Sequence, residues 1–267
     1  MSERKAIFVT GGASGIGRAI AVRFGQAGWF VGLGDVDQAG MTATEAQLPG
    51  GYSYTHVFDV RDRKAWDEAL DAFATAAGGR IHVLANNAGV PLGGPLIDCN
   101  SDEIERTLDI NLKGVLFGAQ AAHPWLKQTA PESCLLNTAS AAGIYGTPGA
   151  SVYSATKFGV RAITESLDAE WAEDGIAVRS LMPSFIETPL LDHAPHQGSN
   201  EDIRTRVREA GMEITPVADV AEAAWRAVHG QDLHTPVGKS AMKLRFAARW
   251  IPGRLRKQMR ANRRDGI

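Results

Sequence analysis

The sequence predicts an α/β fold, with one doubly wound parallel sheet and helices on both of its faces. Short apolar runs rich in β-branched and aromatic residues alternate with longer amphipathic stretches over residues 6–182. Repeated strand–helix units of this kind pair their strands in parallel. The 267 residues, 44% of them hydrophobic and 22% charged, are enough to bury one sizeable core. No linker, low-complexity tract or short repeat divides them, so we predict a single domain.

The first strand leads directly into a glycine-rich run. Residues Ala6 to Thr10 read as a strand, and Gly11 to Gly17 as a turn. A helix follows, with Ile16, Ile20 and Phe24 on one face. Glycines let the backbone approach a phosphate, and a helix N-terminus attracts an anion. The order strand, glycine turn, helix therefore predicts a dinucleotide-binding unit of the Rossmann type.

An acidic residue ends the second predicted strand. Phe30 to Gly34 runs into Asp35, eighteen residues beyond Gly17, where an acid accepts the ribose hydroxyls of an adenosine. A carboxylate there repels a 2′-phosphate, and neither Ser14 nor Val36 offers a compensating cation. The sequence therefore favours NAD over NADP. In the alternative, Asp35 is a turn residue and the nearby Asp37 binds the ribose.

The same alternation of strands and helices continues to residue 182. Further strands are predicted at residues 52–58, 81–85, 133–138 and 176–182, and helices at residues 63–77, 101–128 and 152–171. Small and amide residues, Asn86 to Gly89, follow the fourth strand. Such residues at the carboxyl edge of a parallel sheet suit a ligand that lies across its top.

A serine, a tyrosine and a lysine form the candidate catalytic set. Tyr153 and Lys157 are four residues apart, so they share one face of a helix. An ammonium beside a phenol lowers the pKa of the phenol, as a proton-transferring tyrosine requires. Ser140 follows a strand and can hydrogen-bond a substrate oxygen there. A tyrosine and a lysine at this spacing are weak evidence alone, and the rest of the chain strengthens it.

Together these motifs resemble the short-chain dehydrogenase/reductase family in its common single-domain form. The resemblance covers about residues 5–190, in the family's order and spacing. The matching residues are Thr10 to Gly17, Asp59, Asn86 to Gly89, Asn111, Ser140, Tyr153, Lys157, Pro183 and Ile186 to Thr188. It implies an NAD-dependent enzyme that interconverts a secondary alcohol and a ketone by hydride transfer, without a metal.

The resemblance also implies roles for individual residues. Tyr153 would be the general acid/base, Ser140 would polarise the substrate oxygen, and Lys157 would lower the tyrosine pKa and hold the nicotinamide ribose. Asn111 would hold a water that links Lys157 to solvent. Leu190 would meet the substrate beside Ser140 and Tyr153. The cofactor would be bound by Gly11, Ser14, Gly15, Ile16, Asp35, Asp59, Val60, Asn87, Ala88, Gly89, Tyr153, Lys157, Pro183, Ile186 and Thr188.

The chain departs from the family pattern at three places. Ser184 stands where glycine is usual, and Arg179 where the preceding strand usually has asparagine. The usual C-terminal strand with its aspartate and paired glycines is absent. Residues 233–238 are predicted to supply a last strand instead. We therefore expect a catalytic domain over residues 1–238 and a basic extension over residues 239–267.

The substrate side is predicted from three segments. A lid is expected at about residues 190–212, and further walls at residues 90–96 and 141–145. These walls are mostly apolar and show no cluster of Lys or Arg, which indicates a neutral, fairly apolar substrate. His193 and His196 are interpreted as polar lid residues, since no third metal ligand stands nearby.

The C-terminal extension is strongly basic. Ten Lys or Arg and no acid lie between Lys239 and Arg264, whereas residues 1–238 hold 18 basic and 29 acidic residues. Met242, Phe246 and Trp250 recur every fourth residue and form an apolar stripe, which Pro252 interrupts. Three interpretations stay open: a weak contact with an anionic membrane surface, nucleic-acid binding, or packing against a neighbouring subunit or over the active-site mouth. No nucleic-acid motif supports the second, so nucleic acid is not a predicted partner.

Composition and termini suggest where the protein works. The two cysteines, Cys99 and Cys134, form no redox or metal spacing, and the N-terminal residues enter a strand at once without a signal-like segment. A cytoplasmic enzyme is expected, as a homotetramer or dimer by resemblance. The alternative function is a non-catalytic cofactor-sensing or lipid-associated binding protein on the same fold. The presence of Tyr153 and Lys157 favours the enzyme.

Overall fold

A seven-stranded parallel sheet forms the centre of the protein in a computed structural model, which describes residues 4–196 and 199–261. The strands lie in the order β3-β2-β1-β4-β5-β6-β9, and every pair is parallel. The nine strands, including a small separate pair β7–β8, are Ala6–Thr10, Phe30–Asp35, Ser53–Val57, Val83–Asn86, Cys134–Thr138, Ala177–Pro183, Phe185–Ile186, Ile214–Thr215 and His234–Val237. The predicted doubly wound α/β fold is thereby confirmed.

Ten α-helices accompany these strands in the described part of the chain. In order, α1 to α10 span Gly15–Gln26, Gln38–Glu45, Arg63–Ala76, Ser101–Leu108, Gly114–Gln128, Ser151–Glu170, Ile203–Glu209, Val217–His229, Lys239–Trp250 and Pro252–Ala261. The predicted helix over residues 101–128 is wrong in one respect, because a π-helical turn, Asp109–Lys113, separates α4 from α5. Helices α2, α7 and α8 were not predicted.

Two apolar cores sandwich the sheet. The strand β1 shows how, since Ile7 and Val9 face one core while Ala6 and Phe8 face the other. Helices α1 and α8 cover the first core through residues such as Phe24 and Val220, whereas α3, α5 and α6 cover the second. Strands buried on both faces read as continuous apolar runs, which explains why the central strands were predicted well.

The carboxyl ends of the central strands lie at one edge of the sheet. Because all strands are parallel, the loops after β1, β2, β4, β5 and β6 meet there, at a point where the order of strands reverses. Open α/β sheets bind ligands at such a crevice. Three short parts of the predicted regions fall outside the described residues. They are residues 1–3 of the catalytic domain, residues 197–198 of the lid and residues 262–267 of the basic extension.

Candidate active site

The glycine turn after β1 forms one end of a cleft across the sheet edge. Gly11 and Gly15 have positive φ angles of 68° and 52°, which L side chains rarely adopt. A Cβ on Gly17 would lie 2.1 Å from the carbonyl oxygen of Gly11, so the helix α1 can approach the turn only with glycine there. Gly11, Ser14, Gly15 and Ile16 line the cleft, with the N-terminus of α1 directed at it.

Asp35 lies at the end of β2 beside this turn. One carboxylate oxygen accepts a hydrogen bond from the amide of Ala13 at 3.1 Å, and the other accepts one from the amide of Asp37 at 3.1 Å. Asp35 lines the cleft, whereas Asp37 caps α2 by accepting from Gly40 at 2.9 Å. Of the two candidate acids, Asp35 lines the cleft and Asp37 does not.

Asp59 and Val60 follow β3 and line the same end of the cleft. The Asp59 carboxylate accepts two hydrogen bonds from the guanidinium of Arg61, at 2.8 and 2.6 Å. The bonding to Arg61 holds the pKa of Asp59 below its usual value against the opposing effect of partial burial. A hydrogen-bonded ion pair thus borders the region where the resemblance places the adenine.

The loop after β4 is tied to its neighbouring strands. The hydroxyl of Thr10 accepts hydrogen bonds from the amides of Asn87 and Ala88, at 3.0 and 3.1 Å. The side chain of Asn87 donates to the carbonyl of Thr10 at 3.0 Å and accepts from the hydroxyl of Thr138 at 3.2 Å. Asn87, Ala88 and Gly89 line the cleft as predicted, and this network fixes their backbone.

Tyr153 and Lys157 lie one turn apart on α6 and face the cleft together with Ser140. The ammonium of Lys157 donates to the carbonyl of Thr138 at 2.9 Å and lies 5.6 Å from the centre of the Tyr153 ring. The Ser140 hydroxyl donates to the carbonyl of Pro183 at 3.4 Å. It also accepts from the amide of Ala142 at 3.1 Å, which fixes its position.

Burial dominates the protonation of this pair. It lowers the pKa of Lys157, whose side chain is almost fully enclosed, to about 8. It also raises the pKa of Tyr153, although the hydrogen bond with Ser140 acts in the opposite direction. The spacing of the two residues predicted that the ammonium would lower the tyrosine pKa. In the structure the cost of desolvating a phenolate is larger than any such effect.

Asn111 lies behind the cleft, in the π-helical turn. Its side chain accepts from the amide of Val90 at 2.8 Å and donates to the carbonyl of Val90 at 2.9 Å. A Cβ on Gly89 would lie 3.3 Å from the Asn111 oxygen and 3.6 Å from the Lys157 nitrogen, so the three groups are neighbours. The side chain of Asn111 thereby fixes the loop that leads from the cofactor wall to the substrate wall.

The opposite wall of the cleft comes from the loop after β6. Pro183, Ile186 and Thr188 line it, as does Ser184 at the first departure from the family pattern. A Cβ on Gly15 would lie 3.3 Å from the Thr188 side chain, so this loop meets the glycine turn. The second departure, Arg179, is buried outside the cleft and pairs with Asp168 at 3.1 Å.

Residues 189–261 build most of the substrate wall. Leu190 and Leu191 belong to a 3₁₀ turn, Pro189–Asp192, and α7 follows at the middle of the predicted lid. The wall is less apolar than predicted, since Glu209, Lys243 and the ion pair Arg206–Glu201 lie along it with Leu190, Leu191, Ile203, Val207 and Met212. Of the other predicted walls, residues 90–93 and 141–142 reach the cleft.

The C-terminal extension also lines the cleft, through α9 and α10. The contributing residues are Ser240, Lys243, Leu244, Ala247, Leu255, Gln258 and Met259. Of the open interpretations, packing over the cleft mouth fits this placement. These lining residues were missed from the sequence, although Ala241, Leu244 and Ala248 follow a helical spacing that marks a second, inward face of α9.

The cleft is large enough for a dinucleotide and a second molecule. Its volume is about 1560 Å³, above the ~300–1,000 Å³ of ordinary ligand pockets. Its close-packed glycines and the carboxylate of Asp35 fit a nicotinamide dinucleotide. Across residues 4–196 and 199–261, no group of three His, Cys, Asp or Glu side chains could hold a metal ion. In that same part of the chain, no helix has the length and apolarity to cross a membrane.

Comparison with known proteins identifies the family. The sequence model of the short chain dehydrogenase family matches residues 5–198. The chain belongs to this family. It is 37% identical over 191 residues to a 3-alpha-(or 20-beta)-hydroxysteroid dehydrogenase of Mycobacterium bovis, which covers 72% of each chain. It is also 32% identical over 195 residues to meso-2,3-butanediol dehydrogenase of Serratia marcescens, covering 73% of this chain and 76% of the other.

A solved structure agrees over nearly the whole chain. The short chain dehydrogenase/reductase from Burkholderia phymatum, in complex with NAD, superposes with a TM-score of 0.84 at 25% identity. The match covers 97% of each chain. Membership of the family, together with these relatives, supports oxidoreduction of an alcohol or a ketone with a nicotinamide cofactor.

Proposed function

We propose that this protein is an NAD-dependent oxidoreductase that interconverts a secondary alcohol and a ketone, with Tyr153 as the general acid/base. The observation that carries the proposal is the convergence of Ser140, Tyr153 and Lys157 on one cleft, opposite the glycine turn and Asp35. A nicotinamide bound in the cleft would supply the hydride acceptor or donor for the substrate carbon, so that oxidation of the alcohol would give a ketone and one proton. The residues of the chain must bind, orient and move that proton.

Ser140 and Tyr153 act on the substrate oxygen. The Ser140 hydroxyl orients and polarises it, and the Tyr153 hydroxyl gives a proton to the forming alcohol or, as phenolate, takes one from the alcohol. Burial disfavours the phenolate. The positive charge of Lys157 stabilises the Tyr153 phenolate as the proton leaves. Asn111 contributes indirectly, because it fixes the backbone of Val90 near Lys157. General acid/base catalysis of this kind contributes ~10²–10⁴-fold to a rate.

The preference for NAD rests on Asp35. Its carboxylate already accepts two backbone hydrogen bonds, which fix its position at the cleft. A 2′-phosphate brought to this position would meet an immobile negative charge, whereas ribose hydroxyls could donate to it. The substrate proposal is a fairly apolar, neutral alcohol or ketone, supported by Leu190, Leu92 and Met212 along the wall.

We also propose that the enzyme works in the cytoplasm as a homo-oligomer. Leu116 of α5 and Phe158 of α6 are exposed, at 46% and 40%, and Leu108 of α4 at 37%. Large apolar side chains on adjoining helices suit a subunit interface. Sedimentation velocity of the wild type and of Phe158→Ser tests this assembly, because a smaller species is expected for the variant.

The experiment for the proposed function follows the absorbance of the reduced nicotinamide. Secondary alcohols from small and polar to bulky and apolar are offered with NAD and then NADP. Tyr153→Phe should lower turnover by roughly 10²–10⁴-fold while it still binds NAD. Tyr54→Phe, which removes a hydroxyl paired with His56 on β3, is the matched control and should retain turnover. A Tyr153→Phe enzyme with unchanged turnover would contradict the assignment.

The cofactor preference is tested with Asp35→Asn and Asp37→Asn. Asparagine keeps a hydrogen-bond acceptor and removes the charge, so Asp35→Asn should reduce discrimination against NADP by about a hundredfold, in line with a like-charge contact near a protein surface. Asp37→Asn should leave the ratio of kcat/KM for the two cofactors unchanged, because Asp37 caps α2 outside the cleft. The reverse result would transfer the role to Asp37.

A further inference from the structure

The helix α9 has two apolar faces, and only one of them is covered. Ala241 is fully buried, and Leu244 and Ala248 pack on a small core with Val115, Ala139 and Ile144. On the outer face, Met242, Phe246 and Trp250 are exposed at 51%, 61% and 68%. The inner face therefore attaches the helix to the domain, whereas the outer stripe stays largely exposed.

A groove continues this stripe onto α10. It has a volume of about 490 Å³ and is lined by Met242, Lys243, Phe246, Ala247, Ile251, Arg254, Leu255 and Gln258. Ile251, between the two helices, is exposed at 40%. The stripe, the groove and Ile251 together form one apolar surface, which we call the outer face. Exposed apolar surfaces of this kind mark a contact with another molecule.

The charged side chains of α9 and α10 have one sign. From Lys239 to Ala261 the chain has eight Lys or Arg and no acid. Among the residues that the structure describes, none of these cations pairs with a carboxylate. By contrast, Arg23, Arg61, Arg161 and Arg179 of the catalytic domain each have an acidic partner. The cations of α9 and α10 are therefore available to an anionic partner.

We propose that the outer face docks on an anionic phospholipid surface. Exposed Trp and Phe beside Lys and Arg, on a helix without acids, give the composition of helices that lie in a membrane interface. The stripe would enter the boundary of the acyl chains, while the cations would meet lipid phosphates. A twofold contact between two copies is disfavoured, since it would bring two cationic faces together.

The outer face adjoins the mouth of the catalytic cleft. Lys243, Ala247, Leu255 and Gln258 line both the groove and the cleft. Docking would therefore place the mouth at the lipid surface. If the proposed function holds, an apolar alcohol dissolved in the bilayer could reach the cleft without crossing water. The docking itself does not depend on turnover.

The test measures co-sedimentation of the full chain with vesicles, without substrate. Vesicles of phosphatidylcholine alone are compared with vesicles that also contain phosphatidylglycerol, at low and high salt. We expect binding to the anionic vesicles only, weakened by salt. Arg245→Gln with Arg249→Gln should weaken it by roughly 10–30-fold. Phe246→Ser with Trp250→Ser should abolish it and leave turnover unchanged, because neither side chain lines the cleft.

A matched control lies at the opposite edge of the sheet. Val57 of β3 is exposed at 50%, and Val57→Ser should bind anionic vesicles as the wild type does. Failure of the wild type to sediment with anionic vesicles would overturn the proposal. If the wild type does not bind vesicles and Phe246→Ser with Trp250→Ser sediments as a smaller species than the wild type, the outer face would instead be assigned to contact with a second copy. Tighter binding to duplex DNA than to the vesicles at equal salt would also overturn it.

Discussion

The two walls of the cleft are held in different ways. The cofactor wall, residues 11–89, is fixed by backbone and short side-chain hydrogen bonds that join β1, β2, β4 and β5. The substrate wall, residues 189–261, is held by ion pairs between long side chains, such as Arg204–Asp192 at 2.7 Å, and by helices with one face in water. The family match ends at residue 198, so it includes the first wall and little of the second.

This difference teaches where each property of the enzyme is located. In the proposed function, cofactor binding and proton transfer depend on backbone positions that tolerate little change. Substrate choice depends on side chains in short elements, which can vary without disturbing the sheet. Relatives that are 37% and 32% identical to this chain are named for substrates as different as hydroxysteroids and butanediol. The comparison predicts that equal changes will have unequal effects on the two walls.

The largest difference is expected between two glycine substitutions. Gly17→Ala places a Cβ 2.1 Å from the Gly11 carbonyl oxygen, whereas a Cβ on Gly253 meets nothing within 4 Å. Gly17→Ala should lower the free energy of unfolding by at least about 2 kcal/mol and abolish measurable NAD binding. Gly253→Ala should stay within about 0.5 kcal/mol of the wild type. For both variants, chemical denaturation measures the free energy of unfolding and calorimetry measures NAD binding. Equal effects would show that the walls do not differ.

A second prediction concerns Lys157, where the walls meet. The unfolded chain keeps this proton up to the ordinary pKa of 10.5, whereas the folded chain loses it at about 8. Between these values the unfolded state binds more protons, so the free energy of unfolding rises with pH. The penalty for a buried ammonium is complete below pH 8 and is relieved by about 3 kcal/mol as pH approaches 10.5.

Comparison with Lys157→Met isolates this effect. The stability of the wild type relative to the variant should increase over that range of pH, as measured by urea denaturation at several pH values. A constant difference would mean that Lys157 stays charged throughout, in which case burial does not control its pKa. The result also bears on catalysis, because the support that Lys157 gives to the Tyr153 phenolate requires the ammonium.

The smallest effect is expected on the substrate wall. Leu190 lines the cleft and is exposed at 37%. Leu190→Ala therefore truncates a side chain that is only partly buried. We expect the KM for an apolar alcohol to rise about tenfold or less, with the Kd for NAD unchanged. Leu96→Ala is the control, since Leu96 is exposed at 54% and lies outside the cleft lining. A changed Kd for NAD would show that the walls are coupled.

The sequence predicted the cofactor wall closely and the substrate wall only in outline. Buried parallel strands have continuous apolar runs, and the motifs that follow them stand at fixed positions, so Gly11, Asp35 and Asn87 could be placed from order alone. The walls formed by Met212 and Met259 depend on how α7 and α10 fold back over the sheet. No local pattern encodes that path, because it is set by contacts far apart in the chain.

The protonation of Tyr153 shows a second limit of the sequence. The spacing to Lys157 placed both groups on one helix face, which the structure reproduces. It could not show that desolvation determines the direction of each pKa shift. Burial is a property of the assembled cleft, to which segments that follow strands β1 to β6 contribute.

The π-helical turn Asp109–Lys113 has a consequence for chain length. It accommodates one residue more than an α-helix would, and each α-helical residue rotates the chain by about 100°. A variant shortened by one residue here would restore an uninterrupted helix and rotate one end relative to the other. Either Asn111 would lose its hydrogen bond with Val90, or Gly114 and Gly118 would rotate away from Val60 and Trp66. The extra residue thus sets the rotation of α5 relative to Asn111, so that the Val90 loop and the packing against Val60 and Trp66 are both maintained.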